Sequence, residues 1–154
     1  MKDHFISESV VMTTTEDSSD NNIDRRAALH CLNFGDKFIR ERSWQNAIIW
    51  LKQAVTIEPG FFEAYCLLGE AYLELGEVEQ AIETFDHAIQ LRPKAASPHL
   101  KLGLAYIALN DWNAALGQYH TLRRLDLVVA KQLFNKIIFS FNYNMFDNLF
   151  NQMY

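Results

Sequence analysis

A period of 34 residues runs through the middle of this chain and dictates its architecture. Gly35, Gly69 and Gly103 fall in one column, since 69 − 35 and 103 − 69 both equal 34. The same step aligns Phe38, Tyr72 and Tyr106; Ala47, Ala81 and Ala115; Leu51, Phe85 and Tyr119; Trp44, Val78 and Trp112; and Pro59 with Pro93. Small, aromatic and proline positions do not recur together by chance. Such self-similarity marks a stack of like supersecondary units, none of which buries its apolar face alone.

Each unit reads as two helices. In the second, Tyr65, Leu68 and Tyr72 keep helical spacing up to a break at Gly76, and Val78, Ala81, Ile82, Phe85 and Ala88 resume it. Gly69 and Ala81 let helix axes close to roughly 8 Å while aromatics fill the flanks. Ser43 and Asp111 are suited to cap second helices, Ser97 followed by Pro98 predicts a cap with proline in the first turn, and Pro59 and Pro93 end their units. The expected fold is all-α, an array of antiparallel helix pairs with units over residues 28–61, 62–95 and 96–129.

A stack exposes the apolar end of its last unit, so a capping helix is required. Residues 128–140, with Val129, Leu133, Phe134, Ile137 and Ile138 at helical spacing, are expected to supply it and complete a domain over 25–140. Beyond, Met145, Leu149 and Met153 recur every four residues, as do Phe146, Phe150 and Tyr154. Residues 141–154 therefore predict a separate short amphipathic segment. It either packs on the array or serves self-association or partner contact through its Phe146, Phe150 and Tyr154 face.

The formal net charge is −5, and residues 1–24 carry that whole excess, with Lys2 against Asp3, Glu8, Glu16, Asp17, Asp20 and Asp24. Residues 13–22, TTTEDSSDNN, have too little apolar surface to offset their ordering entropy. Residues 1–24 are thus expected to form a disordered acidic arm, either a solvated tail or one that covers a groove. The remainder is neutral and offers no basic footprint for nucleic acid. No apolar run approaches the roughly 18 residues that span a bilayer, and the first ten residues lack a signal-peptide stretch, so no membrane insertion and a cytoplasmic location are expected. Cys31 and Cys66 show no Cys-x-x-Cys spacing and read as free thiols in a reducing compartment.

Neither a G-x-x-x-x-G-K nor a G-x-G-x-x-G loop occurs, and His4, His30, His87, His99 and His120 lack zinc-ligand spacing. The expectation is a protein that is not an enzyme and takes no cofactor or metal.

The second unit, with Tyr65, Leu68-Gly69, Tyr72, Ala81, Phe85, Ala88 and Pro93, resembles a nearly complete tetratricopeptide repeat. The first departs from that pattern at Cys31 and Phe34, the third at His99, Leu122 and Leu127. The resemblance extends over residues 28–127 and implies a right-handed superhelical solenoid. In that family the first helices of successive units line a concave groove that holds a segment of another protein.

The helical period selects the same face. At about 100° per residue, Glu70 and Glu74 fall within about 20° of Glu63, with Tyr65, Leu68 and Tyr72 opposite. Cys66 and Leu73 complete the middle wall. One unit earlier the face holds Leu29, Leu32, Asp36, Ile39 and Arg40; one unit later it holds Ser97, Leu100, Lys101, Leu104 and Ile107. An apolar strip with an acidic middle suits an apolar, partly basic peptide of a partner protein, unless the chain's own arm or C-terminal helix fills it. The clamp with which related co-chaperones grip acidic tails of heat-shock chaperones falls here on Leu32, Asp36, Leu67, Ser97 and Lys101, of which only Lys101 matches. The expected function is an adaptor-like or chaperone-like protein-interaction module. A scaffold subunit of a larger assembly and a small chaperone of secreted proteins are the alternatives.

Overall fold

The structure is a computed structural model that describes the backbone of residues 17–153 and the side chains of residues 22–144. Within these residues lie α1 (Asp17–Arg40), α2 (Trp44–Ile57), α3 (Phe62–Glu74), α4 (Val78–Leu91), α5 (Ala96–Ala108), α6 (Trp112–Leu125) and α7 (Leu127–Met153). Helices α1 to α6 form three antiparallel hairpins, each packed on the next, and α7 closes the stack. No strand occurs among the described residues.

The recurring columns explain why the hairpins close. A Cβ on Gly35 would lie 2.5 Å from Leu51, and one on Gly69 would lie 2.6 Å from the Phe85 ring. Leu51 and Phe85 are fully buried, as are Ala47 and Ala81 one turn before them on the same helices and Ala115 at the matching position of α6. Substituting any larger residue at either glycine would force the paired helices apart.

At the third unit the arrangement changes. A Cβ on Gly103 would meet Leu133 of α7 at 2.5 Å, not Tyr119 of its own unit. Tyr119 instead faces Phe134, ring centroids 5.1 Å apart. Helix α7 therefore seals the stack by driving Leu133 into the notch that Gly103 leaves, with Ala130 and Ile137 buried beside it.

Several expectations require correction. Helix α1 begins at Asp17, inside the segment read as an acidic arm. The rest of that arm, residues 1–16, lies outside the described residues. Ser43 occupies the N-cap of α2 but makes no side-chain capping bond, its hydroxyl accepting instead from Asn46 at 3.0 Å. The N-cap of α5 is Ala95, so Ser97 and Pro98 lie within the first turn. Asp111 caps α6 as expected, accepting from the Ala114 amide at 3.0 Å. Finally, α7 is one helix through Met153, because no glycine or proline interrupts residues 127–153.

Candidate peptide-binding groove

The first helices of successive pairs touch one another, α1 with α3, α3 with α5 and α5 with α7, so the candidate face is the side of α1, α3 and α5 that turns away from their second helices. Leu32, Ile39 and Leu73 are half-buried against the core of the first two units, and Leu100, Leu104 and Ile107 against that of the third and α7. Each is covered by stacking on one flank only and is partly exposed on the other. Leu29 is more open, at 49% exposure. The strip is thus apolar partly because neighbouring units need it.

Its charges are largely matched internally. The Arg92 guanidinium reaches from the end of α4 to donate to Glu63 at 2.7 Å, and stacks 4.3 Å from the Phe62 ring centroid. Lys101 of α5 lies 3.2 Å from Glu70 of α3, bridging two walls. Arg40 donates to Asp36 within α1. Of the expected acidic stripe, Glu74 is exposed and has no ion pair among the described residues. Ser97 is exposed at the start of the third wall. Cys66 sits half-buried between Glu63 and Glu70, and burial, reinforced by the Glu63 charge, pushes its thiol up to about 11. It is a protonated, unreactive lining group at neutral pH.

A fourth wall was not anticipated. Pro98 and Leu102 are buried on α5, and Leu133 and Ile137 on α7; since 133 − 98 and 137 − 102 both equal 35, α7 continues the stack one residue out of step. That shift turns Gln132, Asn135, Lys136, Phe139 and Tyr143 toward the groove side. A cleft of about 280 Å³ runs between the end of α5, at Ile107 and Ala108, and Phe139 and Tyr143 of α7. Asn144 donates to Asn110 across its floor. At the opposite edge, a cleft of about 290 Å³ is lined by Arg25, Leu29, Glu58, Glu63 and Arg92. The side chains of Phe146, Phe150 and Tyr154 lie outside the described residues.

The histidines that could have suggested chemistry are packing groups. His99 is buried, with Nε2 3.2 Å from the Pro93 carbonyl oxygen, which accepts, and Nδ1 2.8 Å from the Gln118 side-chain amide. His87 rests on Tyr65, ring centroids 5.5 Å apart. No cluster of three or more His, Cys, Asp or Glu side chains able to hold a metal ion occurs among the described residues. No described helix is long and apolar enough to cross a membrane.

Helix pairs stacked at a fixed step around a concave face define a helical-repeat protein. Family models described as TPR repeat or tetratricopeptide repeat match residues 38–89, 69–110 and 99–126. The chain belongs to the tetratricopeptide-repeat family, whose repeats are non-catalytic. Among curated proteins it is similar to Superkiller protein 3 of Saccharomyces cerevisiae, 36% identical over 59 residues, covering 38% of this chain and 4% of that protein. It is also similar to the tetratricopeptide repeat and J domain-containing co-chaperone DNJ1 of Fusarium oxysporum, 32% identical over 73 residues, covering 47% of this chain and 14% of that protein. The chain thus spans a small part of these relatives. Among solved structures, the second tetratricopeptide-repeat domain of human RPAP3 in complex with the HSP70 peptide SGPTIEEVD superposes with a TM-score of 0.68 at 19% identity, covering 76% of this chain and 97% of that one.

Proposed function

We propose that this protein is an interaction module whose concave face binds an extended apolar segment of a partner protein, in an adaptor or chaperone-like role. The observation that carries the reading is the continuous run of half-exposed Leu29, Leu32, Ile39, Leu73, Leu100, Leu104 and Ile107, extended by Phe139 and Tyr143. Burying their free flanks supplies affinity at roughly 25 cal/mol per Å² of apolar surface, less the cost of ordering the ligand. With Glu63, Glu70 and Asp36 already paired, preference for a basic residue falls to Glu74.

The acidic-tail recognition seen with SGPTIEEVD does not extend to this chain. Leu32 and Leu67 offer no donor to a carboxylate, Asp36 repels one, and Lys101 is engaged by Glu70. The proposed setting is the cytoplasm, supported by Cys31 and Cys66 being free thiols; cell fractionation tests it.

Calorimetry on the full chain, with an apolar-basic peptide selected from a random library, tests the groove. Leu104→Asp weakens binding at low and high salt alike, on the order of tenfold or more, by placing a charge in an apolar contact. Glu74→Lys weakens it at low salt and flattens the salt dependence. SGPTIEEVD gives no heat of binding. Unchanged affinity in both variants, or tight binding of SGPTIEEVD, contradicts the reading.

A further inference from the structure

Helix α7 stands where the first helix of a fourth unit would stand. Its one-residue shift carries His99, Gly103 and Tyr106 of α5 onto Phe134, Ile138 and Phe141, each 35 residues on. On α3 the same column is Tyr65, Gly69 and Tyr72, and α4 lies over it, with Phe85 against Gly69 and His87 against Tyr65. No helix follows α7 among the described residues, and Phe134, Ile138 and Phe141 are 39%, 45% and 47% exposed. Their inner flanks rest on α6, where Tyr119 lies 5.1 Å from Phe134 and Trp112 lies 5.7 Å from Phe141, ring centroid to ring centroid. The column that α4 covers on α3 is left half-open on α7, at the end of the stack.

We propose that the same column of a second copy of this chain covers it, the two α7 helices crossing antiparallel with Ile138 near a two-fold axis. The stripe is close to palindromic, Phe134 lying four residues before Ile138 and Phe141 three after it. Antiparallel pairing therefore sets Phe134 of each copy against the partner's Phe141, and Ile138 against the partner's Ile138. Such an isologous contact closes after two copies.

Charge selects the same arrangement. Among the described side chains of α7 only Lys131 and Lys136 are charged, and Lys136 lies on another face. Lys131, two turns before Ile138, borders the stripe. Parallel helices would set the two Lys131 ammonium groups side by side, whereas antiparallel ones hold them roughly 20 Å apart at the 1.5 Å rise of an α-helix. Beside this face a charged partner would meet only Lys131 and, on α6, Arg123 over the Tyr119 ring, both cations at its Phe134 end, among the described residues. The groove stays open in this dimer, so the inference goes beyond the proposed function and stands or falls separately.

Sedimentation velocity of the full chain, at concentrations from about 1 to about 100 μM, spans the affinity expected of so small an apolar contact. The wild type dimerises within that range. Ile138→Lys, which sets two cations across the axis, is monomeric throughout, and the milder Ile138→Ala raises the dissociation constant about tenfold, both keeping the wild-type circular dichroism. Ile49→Lys, at a somewhat more exposed apolar position on α2 (55% exposed), dimerises as the wild type does. The inference is overturned by a wild type that remains monomeric, as it would if a foreign helix covered this face. It is equally overturned if Ile138→Lys dimerises normally, or if Ile49→Lys dissociates as fully as Ile138→Lys.

Discussion

Each turn between the two helices of a unit bends through one residue in the left-handed region, and these residues keep the 34-residue step: Arg42 at φ 55°, Gly76 at φ 78° and Asn110 at φ 59°. Glycine adopts that conformation freely and asparagine tolerates it, but an arginine is strained there by about 1–2 kcal/mol. Arg42 is exposed and makes no ion pair among the described residues, so nothing visible offsets that strain. Arg42→Gly should stabilise the fold by about 0.5–1 kcal/mol after the extra entropy of an unfolded glycine is deducted. Gly76→Ala should destabilise it by a similar amount. Thermal denaturation followed by circular dichroism checks both, and a lower melting temperature for Arg42→Gly would contradict the account. Gly76 announces its turn in the sequence. Arg42 carries no such signal, because an L-residue forced into this region by its neighbours looks like any exposed side chain.

At the scale of elements, α1 to α6 were legible because each helix repeats a pattern that its own apolar period and breakers define. Phe85 against Gly69 and Leu51 against Gly35 follow directly from the columns. The termini were less legible for physical reasons. A stretch such as DSSDNN carries no apolar residue, so it has no helical period to read, and the start of α1 at Asp17 was not legible. After α6 the step lengthens by one residue, and Asp126 accepts from the amides of Val128 at 2.8 Å and Val129 at 3.1 Å, starting α7 in the shifted register. A reading by the strict period therefore did not single out Phe139 and Tyr143, which share a cleft with Ile107 and Ala108. It also missed Arg92, since a side chain reaching from one unit to the acid of another leaves no trace in either helix's period. The register of α7 makes a sharp demand on Leu133, which is fully buried in the notch at Gly103. Leu133→Ala should cost about 2–5 kcal/mol through lost burial and the cavity left behind, whereas Phe139→Ala, at 72% exposure, should cost far less. Urea denaturation compares them, and equal midpoints would show that α7 does not seal the stack as described.

For the molecule as a whole, stacking and recognition draw on the same residues. In the proposed groove, the leucines and isoleucines that weld neighbouring units would offer their other flanks to a ligand, while Arg92 and Lys101 pair with two of its three glutamates. Among the described residues, that proposed trough keeps an apolar lining, Glu74 outside any ion pair, and Phe139 and Tyr143 of α7 at its end. The helical period proposes a side of each helix for the trough, but how much charge survives there was not readable, because that depends on pairs formed between helices. The central claim is that this trough, and not the outer surface of the second helices, holds the partner. Site-specific photo-crosslinking tests it most directly, with benzoylphenylalanine placed in the full-length protein at Leu104 in the trough or at exposed Glu83 on α4, and the adducts sequenced by mass spectrometry. The account predicts adducts from position 104 on an apolar segment of a partner protein, lost when Glu74→Lys and Leu100→Asp are added, with few from position 83. Adducts arising from position 83 while position 104 yields none would contradict it.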